Sequence, residues 1–217
     1  MRGVRRALVL LLACAGGARA QAPVAADPVF PLHTDGTRLV DSAGREFRVV
    51  GDAAWTIMVG LTASEAGDYL SARRAAGFNT VLVEPVERGH AGPADRDGNL
   101  PFPADTPFRN PSPAYFRHVR AVLDLARAQG FLVLLSPAYV GYRCDPKNWC
   151  DALRRASIAD LEAWGRAVGE LTAGLPNIIW VHGGDVDART YGVTDRVEAV
   201  YRGIAAVQPA ALHCLDC

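Results

Sequence analysis

Lysine is almost missing from this sequence, since Lys147 is the single lysine among 23 basic residues. We interpret this bias as a property of the coding sequence rather than a functional choice. Basic and acidic residues number 23 each, and without the first twenty residues, which hold four arginines and no acid, the balance becomes 19 to 23. A mildly acidic chain that also lacks a basic stripe is not expected to bind nucleic acid or an anionic membrane surface.

Motifs for nucleotides and metal ions are absent as well. No G-x-G-x-x-G follows the first predicted strand and no G-x-x-x-x-G-K occurs, which argues against a dinucleotide or phosphate site. No H-x-H or other clustered set of ligands follows the predicted strands, so a metal hydrolase is not favoured. We therefore expect no cofactor and no metal ion.

The first apolar run is too short for a membrane anchor. Residues 7–15 make about half of the roughly 20 residues that a spanning helix needs. Three arginines precede this run and Ala18-Arg19-Ala20 follows it, which predicts a secretory signal peptide over residues 1–20 and a periplasmic or extracellular location. Lipoprotein processing at Cys14 is an alternative. Residues 21–30 are interpreted as a linker rich in proline and alanine.

Cysteine is sparse, and four cysteines remain after the predicted cleavage. Cys144 and Cys150 flank a turn-like segment and are a candidate disulfide in an oxidising compartment. Cys214 and Cys217 have C-x-x-C spacing, with His213 beside them. A single such pair at the end of a chain is weak evidence for a metal or redox site.

The segment Asn177–Asp185 carries the main functional signal. Its apolar residues are suited to a fully buried strand, and they run into Gly183, Gly184 and Asp185. An acid is thereby set at the C-terminal end of a strand, where parallel α/β folds usually place their chemistry. The alternative is that Asp185 is an ordinary turn residue.

Strands and helices alternate along the rest of the chain. A small hairpin is predicted from Arg38–Val40 and residues 47–50. Thr62 and Glu65 form a capping box for the next helix, and Ser112 with Pro113 begins another. Buried strands are predicted at residues 78–84 and 131–135, further helices from Ser157 and over residues 194–207, and another strand from Ala211. Residues 85–110 form an unusually long connection, which is either a functional loop or an element that the pattern does not show.

Polar and aromatic side chains follow the predicted strands and never precede them. Such one-sidedness is expected for a barrel whose site lies at the C-terminal face of its strands. The sequence therefore predicts an α/β fold, a partial (β/α)₈ TIM barrel with about four to five βα units after an N-terminal β-hairpin. The residues concerned are Asp52, Trp55, Glu84, Glu87, Tyr139, Tyr142 and Asp185.

With these residues identified, the sequence resembles the apiosidase-like glycoside hydrolases. The resemblance rests on five motifs in the family's order between about residues 30 and 187. They are Pro31-Leu32-His33 with Leu39-Val40-Asp41, Gly51–Trp55, Gly77–Val83, Pro137–Tyr142 and Asn177–Asp185. The resemblance implies a (β/α)₈ barrel that cleaves glycosidic bonds in plant or other complex polysaccharides, with Asp185 as the general acid/base.

Other residues are candidates for binding a carbohydrate substrate. Asp52 would accept hydrogen bonds from hydroxyls, and Trp55 would offer an indole face to a sugar ring. The alternative is that they are a turn acid and a core tryptophan. Glu84 and Glu87 are interpreted as substrate-binding or solvated loop acids, and Tyr139 and Tyr142 as an extended platform or simple packing residues. His182 is a hydrogen-bonding candidate or a buried structural histidine.

The resemblance covers only the N-terminal portion of a barrel, from residue 31 to residue 217. A typical (β/α)₈ barrel takes about 250 residues or more, and the strand expected to carry the nucleophilic carboxylate is not found. The sequence thus favours a secreted glycoside hydrolase fragment, and the alternative is an inactive truncated half barrel that at most binds sugar. Uncovered strand edges and apolar surface would favour self-association.

Overall fold

Seven strands and six helices make up the described part of the chain. The structure, a computed structural model, describes residues 28–104, 106–144, 148–185 and 187–216. The strands are β1 (His33–Asp35), β2 (Arg38–Val40), β3 (Gly51–Ala53), β4 (Thr80–Val83), β5 (Leu132–Leu135), β6 (Ile178–Gly183) and β7 (Leu212–Asp216). The helices are α1 (Ile57–Gly60), α2 (Ala63–Ala75), α3 (Pro113–Ala128), α4 (Cys150–Arg155), α5 (Ile158–Leu171) and α6 (Thr194–Val207), with a 3₁₀ turn at Ala188–Tyr191.

Side-chain caps begin the helices where the sequence predicts them. The Thr62 hydroxyl accepts from the backbone N–H of Glu65, and the Glu65 carboxylate accepts from the backbone N–H of Thr62, which forms the capping box of α2. Ser112 caps α3 ahead of Pro113, and Ser157 caps α5. One face of α3 is buried against the sheet, and it comprises Tyr115, Phe116, Val119, Val122, Leu123 and Ala126.

The main sheet has five parallel strands in chain order, from β3 to β7. The register pairs Val83 of β4 with Leu135 of β5 and Leu135 with Trp180 of β6, so neighbouring strands end at similar heights. Helices connect successive strands, as parallel pairing requires. Four βα units and a fifth strand follow the N-terminal hairpin, which confirms the predicted partial (β/α)₈ barrel.

The two faces of this sheet differ in burial. Val83, Leu135 and Trp180 point towards the helices and are fully buried. On the other face, Leu82 and Leu134 are only half-buried. This second face is the inner face of a barrel, and it is partly covered by the N-terminal segment. The covering cluster comprises Phe30, Leu32, Leu39, Phe47, Leu132, Leu134, Ile179 and Leu212.

The structure corrects two local predictions. Arg38–Val40 pairs with His33–Asp35 across the Asp35-Gly36 turn, whereas residues 47–50 lie in no strand and only Glu46 forms a bridge to Val40. The short helix α4 was not predicted, because its six residues are too few for a clear apolar period. The long connection of residues 85–110 contains no helix or strand in its described part.

The predicted signal peptide, Cys14 and residues 21–27 of the predicted linker lie outside the described residues, as does Cys217. Within the described ranges, no helix is long and apolar enough to cross a membrane.

Helices α5 and α6 approach each other closely through glycines. A Cβ atom on Gly203 would clash with the carbonyl oxygen of Glu162 and lie 2.8 Å from the backbone nitrogen of Arg166. A Cβ on Gly165 would likewise clash with the carbonyl oxygen of Val200. The backbone atoms of both helices would have to move apart to accept a side chain, so this contact requires glycine.

We expect Gly203→Ala to lower the free energy of unfolding by about 1–3 kcal/mol, because overpacking displaces helix backbone. Gly67→Ala in α2 is the matched control, since its Cβ would meet Leu125 at 3.9 Å in ordinary contact. The control is expected to raise stability by up to about 1 kcal/mol through helix propensity. Urea denaturation followed by circular dichroism measures both changes, and equal effects of the two substitutions would contradict the close contact.

Candidate active site

A cavity of about 310 Å³ lies at the C-terminal ends of the parallel strands. This volume falls at the lower end of the range for small-molecule pockets, about 300–1,000 Å³. Its walls come from the loops that follow β3, β4, β5 and β6. The lining residues are Trp55, Glu84, Arg88, Gly89, His90, Tyr139, Gly141, Tyr142, Arg143, Asn148, Trp149 and Asp185.

Asp185 enters the cavity wall because the two glycines before it allow close packing. The backbone N–H of Val140 donates to the Gly183 carbonyl at 2.8 Å, and Gly183 has a φ of 105°, which favours glycine. A Cβ on Gly184 would lie 2.7 Å from the backbone nitrogen of Gly141. The exposed Asp185 carboxylate makes no hydrogen bond or ion pair with the described residues, so it is available to a ligand.

Aromatic rings form one wall of the same cavity. The ring centroid of Trp55 lies 4.9 Å from that of Tyr139 and 6.4 Å from that of His90, whose ring is parallel to the indole. Tyr142 is 63% exposed at the rim, and the guanidinium of Arg143 lies over its ring. Aromatic surface beside polar groups suits a ligand that presents both apolar faces and hydroxyls, as sugars do.

Glu84 and Glu87 follow β4 in different environments. Glu84 lies on the inner face of the sheet, two residues after Leu82, and it lines the cavity although it is only 2% exposed. Burial and the neighbouring charge of Glu87 raise the pKa of Glu84 well above its ordinary value. Glu87 is fully buried outside the cavity lining, and it accepts from the backbone N–H groups of His90 and Ala91 at 2.5 and 2.8 Å.

A disulfide and a buried indole hold the loop after β5, which also lines the cavity. Cys144 and Cys150 are joined in a disulfide, as the sequence predicts. Trp149, next to Cys150, donates its indole N–H to the Val86 carbonyl at 2.9 Å. The Arg88 guanidinium lies 5.0 Å from the Trp149 ring centroid. The loops after β4 and β5 are thereby tied together at the cavity.

The position of Asp52 corrects its prediction as a substrate-binding residue. Asp52 pairs in register with Val81, so it lies on the helix-covered face of the sheet rather than in the cavity. The Tyr69 hydroxyl donates to its carboxylate at 2.6 Å, and Arg73 forms an ion pair with it at 2.7 Å. Both partners are on α2, so Asp52 fastens this helix to β3.

His182 also lies outside the cavity, which favours the structural alternative for this residue. It follows Trp180 by two positions and therefore points to the same helix-covered face. Its Nε2 is 2.9 Å from Nδ1 of His213 on β7, and Tyr201 of α6 contacts both rings edge-on. Burial, together with the charge of His213, lowers the pKa of His182 to about 4.

Several cavity residues were missed because they lie on loops without a periodic pattern. These are Arg88, Gly89, His90, Gly141, Arg143, Asn148 and Trp149. Arg88 and His90 follow Glu84 and Glu87 closely in the sequence, and this cluster of charged and polar residues could have indicated them. The expectation that no clustered ligand set follows the strands was also wrong, since Glu84, Glu87 and His90 form such a set.

Comparison with known proteins identifies a family and a fold. Residues 33–216 match the family described as the apiosidase-like catalytic domain. The fold is similar to that of a glycoside hydrolase (TM-score 0.69, 19% identity) and of a family 5 glycoside hydrolase from Bacteroides vulgatus (TM-score 0.69, 20% identity), each over 87% of this chain. An exo-β-1,4-mannosidase from an Opitutaceae bacterium is also similar, with a TM-score of 0.61 and 18% identity over 85% of this chain. No match among curated proteins reaches significance.

This chain spans less than half of these solved structures. It covers 40% of the first, 39% of the second and 35% of the third. At these identities the structural similarity establishes the fold alone, a partial TIM barrel.

We predict that His182 makes folding stability fall in mildly acidic solution. Its folded pKa of about 4 lies below the ordinary value of 6.5, so the unfolded chain takes up the proton first. The residue has no effect well above pH 6.5, and it lowers the free energy of unfolding by roughly 3 kcal/mol as pH falls towards 4.

Urea unfolding of His182→Gln across this pH range checks the effect. The dependence of the free energy of unfolding on pH should become shallower but not vanish, because burial also lowers the pKa of His213. His33→Gln, at an exposed position in β1, should retain the original slope. Identical slopes in all three proteins would show that His182 is not held neutral by the fold.

Proposed function

The chain belongs to the apiosidase-like family, and from this membership we propose that its cavity binds a carbohydrate chain beside Asp185, the general acid/base of a glycosidase reaction. The observation that carries the proposal is the shared cavity of Asp185, Trp55 and Tyr139, from three different strand ends. A sugar ring stacked on Trp55 would be held close to the carboxyl group.

Glycoside hydrolysis needs two carboxyl groups with different roles. One protonates the leaving glycosidic oxygen, and the other attacks the anomeric carbon or activates water. Asp185 suits the first role because it is exposed in the cavity and held by no other described side chain. Glu84 shares the cavity wall, but it is deeply buried and offers little surface for attack on a sugar ring.

The second carboxylate is proposed to lie on another barrel strand. A closed (β/α)₈ barrel has eight parallel strands, whereas the described residues supply five. We therefore propose that this polypeptide alone binds sugar but does not hydrolyse glycosidic bonds. The inactive sugar-binding half barrel is thus the functional state proposed for the isolated chain.

Complex plant-type polysaccharides in the periplasm or outside the cell are the proposed substrates of the complete catalytic unit. The disulfide between Cys144 and Cys150 supports an oxidising compartment, where such bonds persist. The mixed polar and aromatic lining supports a polyhydroxylated ligand. The incomplete burial of Leu82 and Leu134 supports self-association of the isolated chain through its inner sheet face.

The sugar-binding proposal is tested by titrating the purified chain with plant oligosaccharides and following binding by calorimetry. Tyr142→Ala should weaken binding by about fivefold or more, because it removes an aromatic surface at the cavity rim. Tyr201→Ala is the matched control, since Tyr201 is also exposed (43%) but lies outside the cavity on α6. Binding of no oligosaccharide, or equal losses in both variants, would contradict the proposed site.

Release of reducing sugar tests the catalytic proposal. The chain alone should show no turnover, and Asp185→Asn should leave sugar binding within about threefold of the original, because the two side chains have similar size. Asp195→Asn, an exposed acid on α6, is the control. Turnover that Asp185→Asn abolishes would overturn the predicted inactivity while supporting the acid/base role, and turnover that survives this substitution would refute that role.

A further inference from the structure

Three side chains of types that commonly bind metal ions lie close together in the segment that follows β4. Glu84, Glu87 and His90 each offer one ligand atom, and these atoms all lie within 4.8 Å of one another. They come from one short stretch of chain after β4, residues 84–90, so the backbone of this stretch sets their spacing. Convergence of two carboxylates and an imidazole is common in metal sites, but an acidic cluster alone does not establish one.

The carboxylate of Glu84 provides an independent indication. The residue is only 2% exposed, and its buried Oε2 atom has no hydrogen-bond partner among the described residues. A buried carboxylate oxygen without a partner costs free energy, and a second buried carboxylate beside it adds repulsion. A bound cation would satisfy this oxygen and offset the repulsion between Glu84 and Glu87.

The other two candidate ligands, Glu87 and His90, differ in how firmly the structure holds them. The carboxylate of Glu87 is oriented by the backbone N–H groups of His90 and Ala91, and each of its oxygens keeps a further lone pair. His90 Nδ1 lies 3.4 Å from Glu87 Oε1, and half of the imidazole is exposed to the cavity. His90 can therefore move by the small distance that closing on an ion requires, while the two glutamates stay fixed.

We propose that Glu84, Glu87 and His90 bind a divalent transition-metal ion, Zn²⁺ or Mn²⁺, in the wall of the cavity. The imidazole favours these ions over Ca²⁺, which takes six to eight oxygen ligands, and over Mg²⁺. Three protein ligands leave at least one coordination position open. That position faces the cavity, because Glu84 and His90 both line it.

A metal at this place would fix the loop after β4 against the strand end. If the proposed function holds, the open position would also receive a sugar hydroxyl near Asp185, since both line one cavity. The loop-fixing role and metal binding itself do not depend on that function.

The test uses the purified chain, freed of metal with a chelator and titrated with Zn²⁺ and, separately, Mn²⁺. Affinity is measured by competition with a chromophoric chelator, and melting temperature is followed in parallel. Metal binding should raise the melting temperature, because a ligand that binds only the folded state stabilises it. Glu84→Gln and His90→Ala should each weaken binding by about tenfold or more.

Metal-free Glu84→Gln keeps the shape of the side chain and removes a buried charge, so it should melt no lower than the original chain. If this variant melts normally without metal but its melting temperature no longer rises when metal is added, the substitution has removed a ligand rather than impaired folding.

His213→Ala is the control for metal binding elsewhere, because His213 and Cys214 lie on β7 and are alternative ligands. This variant should retain full affinity. Absence of metal stabilisation would overturn the proposal and indicate that Glu84 is satisfied by a proton instead. Binding that is lost in His213→Ala but retained in Glu84→Gln would overturn it by placing the ion at β7.

Discussion

The parallel register of the five strands is the constraint on which the candidate site depends. Four neighbouring strands are paired in register through Leu82, Leu134, Ile179 and Leu212. These strands therefore end at similar heights along one edge of the sheet. The loops that follow these strands therefore meet at this edge because of the strand register alone. The helices on the outer face maintain this register, because Val83, Leu135 and Trp180 are fully buried beneath them.

Close backbone approach then determines which side chains reach the cavity. Gly183 and Gly184 let the end of β6 pack on the loop after β5, and Asp185 follows at the edge. The disulfide closes that loop on itself, and the indole N–H of the buried Trp149 ties it to the segment after β4. Acid, aromatic and candidate metal-binding groups are thus held by three loops that support one another. This arrangement supports the proposed binding of a carbohydrate chain beside Asp185.

Local signals predicted much of the fold, since caps and buried strands are encoded by neighbouring residues. The capping box of Thr62 and Glu65 and the cap at Ser112 correctly placed helix starts. Asp52 and His182 were assigned to the site, yet alternation along a strand turns both towards the helices. Predicting the face requires the register, which a single sequence does not give. Arg88, His90 and Trp149 were missed because their positions depend on loop packing.

The central claim is that the C-terminal strand edge forms a sugar-binding cavity with Asp185 in its wall. The most direct test is a crystal structure of the chain determined after soaking with a plant oligosaccharide. We expect a sugar ring stacked on Trp55, with a glycosidic oxygen within about 3 Å of the Asp185 carboxyl group. An oligosaccharide bound elsewhere, or one whose glycosidic oxygens all lie far from Asp185, would contradict it.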